Sequence, residues 1–189
     1  MRAAKLFAIT IAALFLVSCG PVLSLNKLFK DSEMILDPAL LGTWGEGETS
    51  MTFERGEGKT YTLTYRDGTK VSVLVAELGS LDGQEFLDVY PADREGERAK
   101  NEAYAPRLPL HTVMRVRVDD DGLMLDSLAE DWVRKELDRG SLELDAEQVL
   151  EAGDGLFVTL PTEKLQDFVR KHAYDDEAFP PSDPLPRVE

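Results

Sequence analysis

The 189-residue sequence has few of the side chains on which many functional sites depend: one cysteine, Cys19, and two histidines, His111 and His172. With a single cysteine no disulfide can form within the chain, so the fold must be stabilised by its hydrophobic core. Two histidines without a second cysteine are a poor ligand set for zinc, and carboxylates would have to complete it. We therefore predict no metal site and no cofactor.

Positive charge is also scarce, because 21 Lys and Arg residues face 36 Asp and Glu residues, for a formal net charge of −15. The phosphates of a nucleic acid would repel such a chain, and no basic patch interleaved with aromatic residues is present. The same charge disfavours binding of the protein surface to anionic lipid head groups. We expect no nucleic-acid partner, and we expect any attachment to a membrane to use something other than surface charge.

The sequence patterns of common catalytic sites are missing as well. There is no G-x-S-x-G, P-loop, dinucleotide-binding or H-E-x-x-H pattern. The acidic run 119–122 does not fit a calcium-binding EF-hand, because the positions that should be acidic are Arg117 and Leu128. We predict that the protein is not an enzyme and has no catalytic residues. The one candidate for a hydrolase is His111 with nearby carboxylates, whereas His172 is predicted to pack at the edge of a helix's apolar face.

The chain has one marked apolar run, residues 6–17, preceded by Arg2 and Lys5. A helix that spans a bilayer needs about 20 apolar residues, so this run is short for that purpose. Basic residues, an apolar run and then small residues are the layout of a secretory signal peptide. The segment Leu16-Val17-Ser18-Cys19 resembles the lipobox of bacterial lipoproteins, an aliphatic residue and two small or aliphatic residues before a cysteine. The alternative is an ordinary signal peptide that contains a cysteine.

The lipobox resemblance implies that residues 1–18 are removed as a signal peptide and that Cys19 is the lipid-attachment site. Its thiol would carry a diacylglyceryl group and its new amino group an acyl chain such as palmitate. The partner of the protein would then be the membrane, held through acyl chains that contribute about 0.8 kcal/mol per buried CH₂. Gly20 follows, where enteric lipoproteins retained in the inner membrane have aspartate, which favours the outer membrane in an organism with two membranes.

Loss of the two positive charges of Arg2 and Lys5 would take the formal net charge from −15 to −17.

The rest of the chain divides into three parts. Residues 19–37 are predicted to be the lipidated N-terminus and a tether, and residues 38–178 a single β-rich globular domain. Residues 179–189 are predicted to be a proline-rich tail, which can neither continue a helix nor pair in a central strand.

Strict alternation of polar and apolar residues predicts a strand over 60–65, and Val71, Val73 and Val75 alternate after it. Matching of the apolar faces predicts a three-residue hairpin loop at 66–68 that pairs Leu63 with Val71. Further strands are predicted at 50–55, 84–90, 112–118, 123–127 and 155–160.

Two local features of the later strands can be predicted from the same alternation. A two-residue turn at Asp121 and Gly122 would pair Val118 with Leu125. In the strand over 112–118, Arg115 and Arg117 alternate with apolar residues and are expected to face solvent.

Two helices are predicted late in the chain. Ser127 and Glu130 have the spacing of a capping box, and the apolar stripe that follows ends near Gly140. The second helix is predicted to begin at Thr162 as its N-cap. The predicted fold class is α+β: an antiparallel β meander, or a curved sheet or barrel, of about seven or eight strands with two C-terminal packing helices.

The first strand of the domain opens with Gly42-Thr43-Trp44. This segment is similar to the G-x-W start of lipocalin-type barrels, whose tryptophan closes the base of the barrel. No T-D-Y-type turn and no late arginine matches that family, and a tryptophan that only packs in a β core is the alternative.

Together, the two resemblances imply a lipid-anchored cell-envelope protein. Its domain would be a non-catalytic binding module for an apolar small ligand or another envelope component. The alternatives are a structural or assembly lipoprotein that acts through protein–protein contacts and, less favoured, the hydrolase. No ligand-binding residue can be assigned from the sequence.

Overall fold

The alternating residues of the chain form strands of a single sheet. The computed structural model describes residues 22–92, 110–142, 144, 145, 148–152 and 155–188. Its strands are β1 (Leu23–Ser24), β2 (Met34–Ile35), β3 (Gly42–Glu46), β4 (Thr49–Arg55), β5 (Thr60–Asp67), β6 (Lys70–Leu81), β7 (Gln84–Pro91), β8 (His111–Val118), β9 (Leu123–Ser127), β10 (Val149–Ala152) and β11 (Gly155–Val158). Its helices are α1 (Glu130–Asp138) and α2 (Thr162–His172).

The strand order of the sheet is β10-β11-β1-β8-β7-β6-β5-β4-β3, with β2 paired to β6 and β9 paired to β8. Strands β3 to β9 are a continuous antiparallel meander, whereas β1 lies parallel to β11, so the sheet is mixed. The α+β class and the two late helices are confirmed. The estimate of seven or eight strands is too low, and the sheet is not closed into a barrel.

The three strands that the sequence did not predict are β1, β2 and β10, which have two, two and four residues. Such segments are too short to show an alternating pattern. Neither helix in the described part of the chain is long and apolar enough to cross a bilayer.

Two groups of buried apolar side chains lie on opposite faces of the sheet, because neighbouring residues of a strand point to opposite sides. The sheet cluster is built from strand residues and from the 3₁₀ turn Pro38–Leu40, which precedes β3. It includes Leu78 and Leu87, which are paired across β6 and β7. The helix cluster includes Phe86, next to Leu87, and is covered by both α-helices.

The segment from Val22 to Phe29, which we predicted to be part of a tether, packs into the helix cluster. Val22, Leu28 and Phe29 are all buried, and the backbone N–H of Val22 donates to the carbonyl of Leu128 over 3.3 Å. The Phe29 ring lies so close to Gly79 that a Cβ at this position would overlap it. From Val22 onward the chain therefore belongs to the body of the protein.

The C-terminal residues connect the two edges of the meander. Leu185 exchanges backbone hydrogen bonds of 2.8 and 2.9 Å with Leu123 of β9. Two residues later, Arg187 forms an isolated bridge with Trp44 of β3. Prolines 184 and 186 lack an N–H, so this segment, which we call the tail (residues 182–188), makes single bridges and no continuous ladder.

The predicted loop of the first hairpin is wrong. Strand β5 pairs with β6 so that Asp67 lies opposite Lys70, and Leu63 therefore lies opposite Leu74 instead of Val71. The apolar face of β6 is made by its even-numbered residues, whereas Val71 is 48% exposed. Both faces of this strand carry apolar residues, so alternation could not decide which of them is buried.

The predicted turn of the β8–β9 hairpin is also wrong. Val118 pairs with Leu123, which leaves a four-residue loop over 119–122. The Asp119 carboxylate accepts the backbone N–H groups of Asp121 and Gly122, at 2.9 and 3.3 Å, and so stabilises the longer loop.

Neither predicted helix cap forms. Ser127 is the last residue of β9, and α1 begins at Glu130 after Ala129, which makes no side-chain capping bond. Thr162 is the first residue of α2 and its hydroxyl donates to the Lys27 carbonyl over 2.8 Å, so it connects the helix to the N-terminal segment.

Candidate functional site

The residues predicted to carry function fall in different places. Cys19, the predicted lipid-attachment residue, lies outside the described residues. Trp44 belongs to the sheet cluster and His111 lies on the opposite, helix-covered face. The structure therefore does not bring Trp44 and His111 together in one site.

Trp44 is buried, and both its indole N–H and its ring face have a partner. Its indole N–H donates to the Leu40 carbonyl over 2.9 Å, and the guanidinium of Arg187 lies over its ring. The sequence does not reveal Arg187 as the partner of this tryptophan, because Arg187 is in the proline-rich tail, far from Trp44 along the chain.

Side chains fill the face of the sheet on which a barrel-type ligand site would be expected. Large members of the sheet cluster are no more than 3% exposed, among them Trp44, Phe53, Tyr61, Leu63 and Leu87. Phe53 and Tyr61 meet edge to face, with ring centroids 6.2 Å apart. Packing of this kind is typical of a protein core.

Two depressions of the described surface lie away from the sheet cluster, and both are open to solvent. One, of about 600 Å³, lies at the ends of the β3–β4 and β5–β6 hairpins and is lined by residues such as Glu48, Arg66 and Lys70. The other, of about 410 Å³, lies beside Trp132 and Lys135 of α1. Neither is a closed apolar pocket.

The helix-covered face of the sheet holds a group of polar side chains that we call the polar cluster: Glu77, Asp88 and His111, which are buried, and Tyr90, which is half-buried. Nδ1 of His111 lies 2.8 Å from Oδ1 of Asp88. The second Asp88 oxygen accepts the backbone N–H of Leu28 over 2.7 Å. Asp88 therefore joins β7, β8 and the N-terminal segment.

The other half of the polar cluster is formed by Tyr90 and Glu77. The Tyr90 hydroxyl donates to Oε1 of Glu77 over 2.9 Å, and its ring centroid is 4.8 Å from that of His111. Glu77 lies directly opposite Asp88 in the β6–β7 ladder. Oε2 of Glu77 is buried and has no hydrogen-bond partner within the described residues.

Burial raises the pKa of two members of the polar cluster, Glu77 and Tyr90. Burial raises the pKa of Glu77, and the hydrogen bond from Tyr90 only partly opposes that increase. Burial and the hydrogen bond to Glu77 both raise the pKa of Tyr90, which stays protonated. Glu77 thus keeps a proton to higher pH than an exposed glutamate does.

A histidine held by a carboxylate is the arrangement of an acid–base pair, which needs a hydroxyl or thiol nucleophile within reach. Ser24 lies opposite His111 across β1 and β8, but its hydroxyl donates to the Asn26 carbonyl over 2.6 Å. The Tyr90 hydroxyl donates to Glu77. These two hydroxyl groups of the described residues are thus bonded elsewhere, and the cluster has the form of a hydrogen-bonded network.

The prediction that Arg115 faces solvent is wrong. Its guanidinium is buried and donates to Asp126 through Nε over 3.0 Å, and to the carbonyls of Ala173 and Phe179 over 3.3 and 2.8 Å. Arg115 lies opposite Phe86 on the helix-covered face, so its strand position is covered. This residue fastens the chain after α2 to the sheet.

The prediction that His172 packs at the edge of the helical core is confirmed. Its ring centroid lies 4.7 Å from that of Trp132 and 5.2 Å from that of Phe168. Burial lowers the pKa of His172, and Nε2 is buried without a hydrogen-bond partner in the described structure. The ring is therefore neutral in the folded protein near neutral pH.

Across the described residues, no three His, Cys, Asp or Glu side chains are arranged to hold a metal ion. No protein-family model, curated protein or solved structure matches the chain. The function is therefore inferred from the chain's own residues.

Proposed function

We propose that the protein is a lipid-anchored protein of the bacterial cell envelope whose β-rich domain is a non-catalytic binding module for another envelope component. The observation that carries this proposal is the dense packing of the sheet cluster. Since side chains occupy that face, a partner would have to bind to the outer surface. This favours an envelope component over an apolar small ligand.

The anchoring half of the proposal is supported by Leu16-Val17-Ser18-Cys19 and by the acidic composition. A body this negative has little electrostatic attraction for a bilayer, so acyl chains on Cys19 would supply the attachment. Gly20 after the cysteine supports an outer-membrane address where the organism has two membranes.

Anchoring is tested by metabolic labelling with palmitate. The wild type should be labelled, and Cys19→Ser should lose the label and accumulate as uncleaved precursor. Ser18→Ala is the matched control, because a small residue is retained before the cysteine, and it should be labelled and cleaved normally. Labelling of Cys19→Ser would contradict the anchor.

Surface binding is tested by photo-crosslinking in cells, with the photoreactive residue at exposed positions such as Val71 and Tyr174. A crosslink to one defined envelope component is expected from at least one surface position. Native mass spectrometry of the purified domain separates the alternatives. A small apolar molecule that co-purifies stoichiometrically, without any specific crosslink, would contradict surface binding.

A second candidate function, hydrolysis, is favoured by one observation, the 2.8 Å contact between His111 and Asp88. It is tested by screening ester, peptide and glycoside substrates with His111→Gln and with His172→Gln as the control. An activity that His111→Gln loses and His172→Gln keeps, with both variants folded, would establish the hydrolase and contradict the non-catalytic proposal.

A further inference from the structure

Strands β10, β11 and β1 form one end of the sheet, which we call the wing, and its two faces differ in burial. On one face, Val22, Leu156 and Val158 are buried in the helix cluster. On the other face, Leu23 lies opposite Phe157, which in turn lies opposite Leu150. These last three residues, the wing row, therefore form an apolar line across three neighbouring strands.

The wing row is only partly covered by the described residues. Leu150 is 47% exposed, and Leu23 and Phe157 are half-buried. Glu151, next to Leu150 in the chain, points to the opposite face and is ion-paired there with Arg134 of α1. An apolar row that is open to solvent across neighbouring strands is suited to contact with an apolar surface.

The wing is also where the predicted anchor meets the body. Cys19 lies three positions before Val22, which is 3% exposed and hydrogen-bonded to Leu128. Three residues span at most about 11 Å when fully extended. Acyl chains on Cys19 would therefore hold the start of β1, and the wing with it, at the surface of the bilayer.

We propose that the wing row is a membrane-docking surface and that its partner is the lipid bilayer into which Cys19 is anchored. This proposal rests on the proposed lipidation, and adds to it an orientation of the body on the membrane. The short anchor segment leads directly into β1, whose Leu23 belongs to the wing row, so the anchor and the row indicate the same occupant. Contact with acyl chains requires no positive charge, which suits the acidic body.

The test uses the full, acylated protein on vesicles of phosphatidylethanolamine and phosphatidylcholine. An environment-sensitive fluorophore is attached at Leu150→Cys or at Val71→Cys, and spin-labelled lipids are the quenchers. The labelling is specific because Cys19 is the chain's only cysteine, and in the acylated protein its thiol would not be free to react. Val71 is the matched control, since it is 48% exposed and lies on β6, outside the wing. Unfolding in urea checks that both labelled variants are folded.

We expect blue-shifted emission and several-fold stronger lipid quenching at position 150 than at position 71. Equal, weak quenching at both positions in protein that is acylated and floats with the vesicles would overturn the docking surface and leave the anchor intact. Protein that is neither acylated nor vesicle-bound would contradict the proposed anchoring as well. Protection of position 150 in a self-associated species without lipid quenching would assign the row to a second copy of the chain and overturn membrane docking.

Discussion

The guanidinium of Arg187 stacks on the indole of Trp44, with its Cζ 4.1 Å from the ring centroid. Its terminal nitrogens also donate to the carbonyls of Leu41 and Ala39, each over 2.8 Å. Arg187 belongs to the tail and Trp44 to β3, so this contact fastens the C-terminal residues to one edge of the meander. The neighbouring Leu185 fastens them to the other edge at Leu123.

Replacement of Arg187 should therefore loosen the tail. We expect Arg187→Ala to lower the free energy of unfolding by about 1–2 kcal/mol, since a cation–π contact and two charged hydrogen bonds are lost at an exposed site. The free energy of unfolding of Arg187→Lys should lie between those of the wild type and Arg187→Ala, because an ammonium group keeps the charge but loses the planar stacking. Urea unfolding measures the effect. Arg139→Ala, which removes an exposed ion pair with Glu136, is the control, and an equal loss there would contradict a special role for Arg187.

Gly122 should be required for the approach of the tail. Its φ is +144°, and a Cβ there would overlap the carbonyl oxygen of Leu185. Gly47 also has a positive φ, of +63°, but an added Cβ would have no neighbour within 4 Å. We expect Gly47→Ala to cost about 1 kcal/mol from backbone strain alone and Gly122→Ala to cost more.

A double-mutant cycle identifies the cause of the Gly122 effect. If the added Cβ displaces the tail, Arg187→Ala should cost less in the Gly122→Ala background than in the wild type. Additive losses in urea unfolding would show that Gly122→Ala acts without moving the tail.

Arg115 and Arg117 donate to the same carboxylate oxygen of Asp126 but differ in burial. Arg115 is buried, whereas the Arg117 side chain is 45% exposed and its contact is longer, 3.4 Å. We expect Arg115→Ala to cost about 3–5 kcal/mol, because Asp126 would lose its main partner in a buried site. Arg117→Ala should cost less than about 1 kcal/mol. Similar losses in urea unfolding would contradict this assignment of the Asp126 charge partner.

The same two arginines show what sequence patterns can predict. Alternation predicts that both side chains lie on one face of β8. That face is covered by other parts of the chain at Arg115 but not at Arg117, and alternation does not reveal where the covered part of a face ends. Long strands and amphipathic helices were predictable because their patterns are local. The two-residue strands and the register at Val71 depend on pairing with distant residues.

Of the residues of the polar cluster, only His111 could be singled out from the sequence. Glu77, Asp88 and His111 come from three strands, and only the meander topology places them side by side. An acidic residue inside an apolar strand is the local signal that could have identified Glu77 and Asp88. In a chain with 36 acidic residues that signal is hard to distinguish from an exposed strand position.

Glu77 should make the protein less stable as the pH rises. Its pKa is raised above the ordinary value of 4.5 by burial, so folding favours the protonated form. The stabilisation is fully present below about pH 4.5 and is lost as the pH rises through the folded-state pKa. Glu77→Gln mimics the protonated side chain, and it should gain stability relative to the wild type between about pH 4 and about pH 7.5.

Urea unfolding at the two pH values measures the Glu77 effect as a difference between wild type and variant, in which other titrating groups cancel. Glu163→Gln is the control, because the hydrogen bond from Lys30 lowers the pKa of Glu163. That variant should show no gain at the higher pH. A Glu77→Gln difference that does not change with pH would contradict the burial of a charged Glu77.

His172 should have the opposite pH dependence, with stability lost in acid. Burial against Trp132 and Phe168 lowers its pKa below the ordinary value of 6.5, so the unfolded chain binds the proton more readily than the folded protein. The stabilisation is present above about pH 6.5 and is lost as the pH falls through the folded-state pKa.

Relative to His172→Gln, the wild type should therefore lose stability between about pH 7.5 and about pH 5 in urea unfolding. His111 and all carboxylates are common to both proteins and cancel in the difference. A wild type that instead gains stability over His172→Gln in acid would mean that the ring is protonated in the folded state.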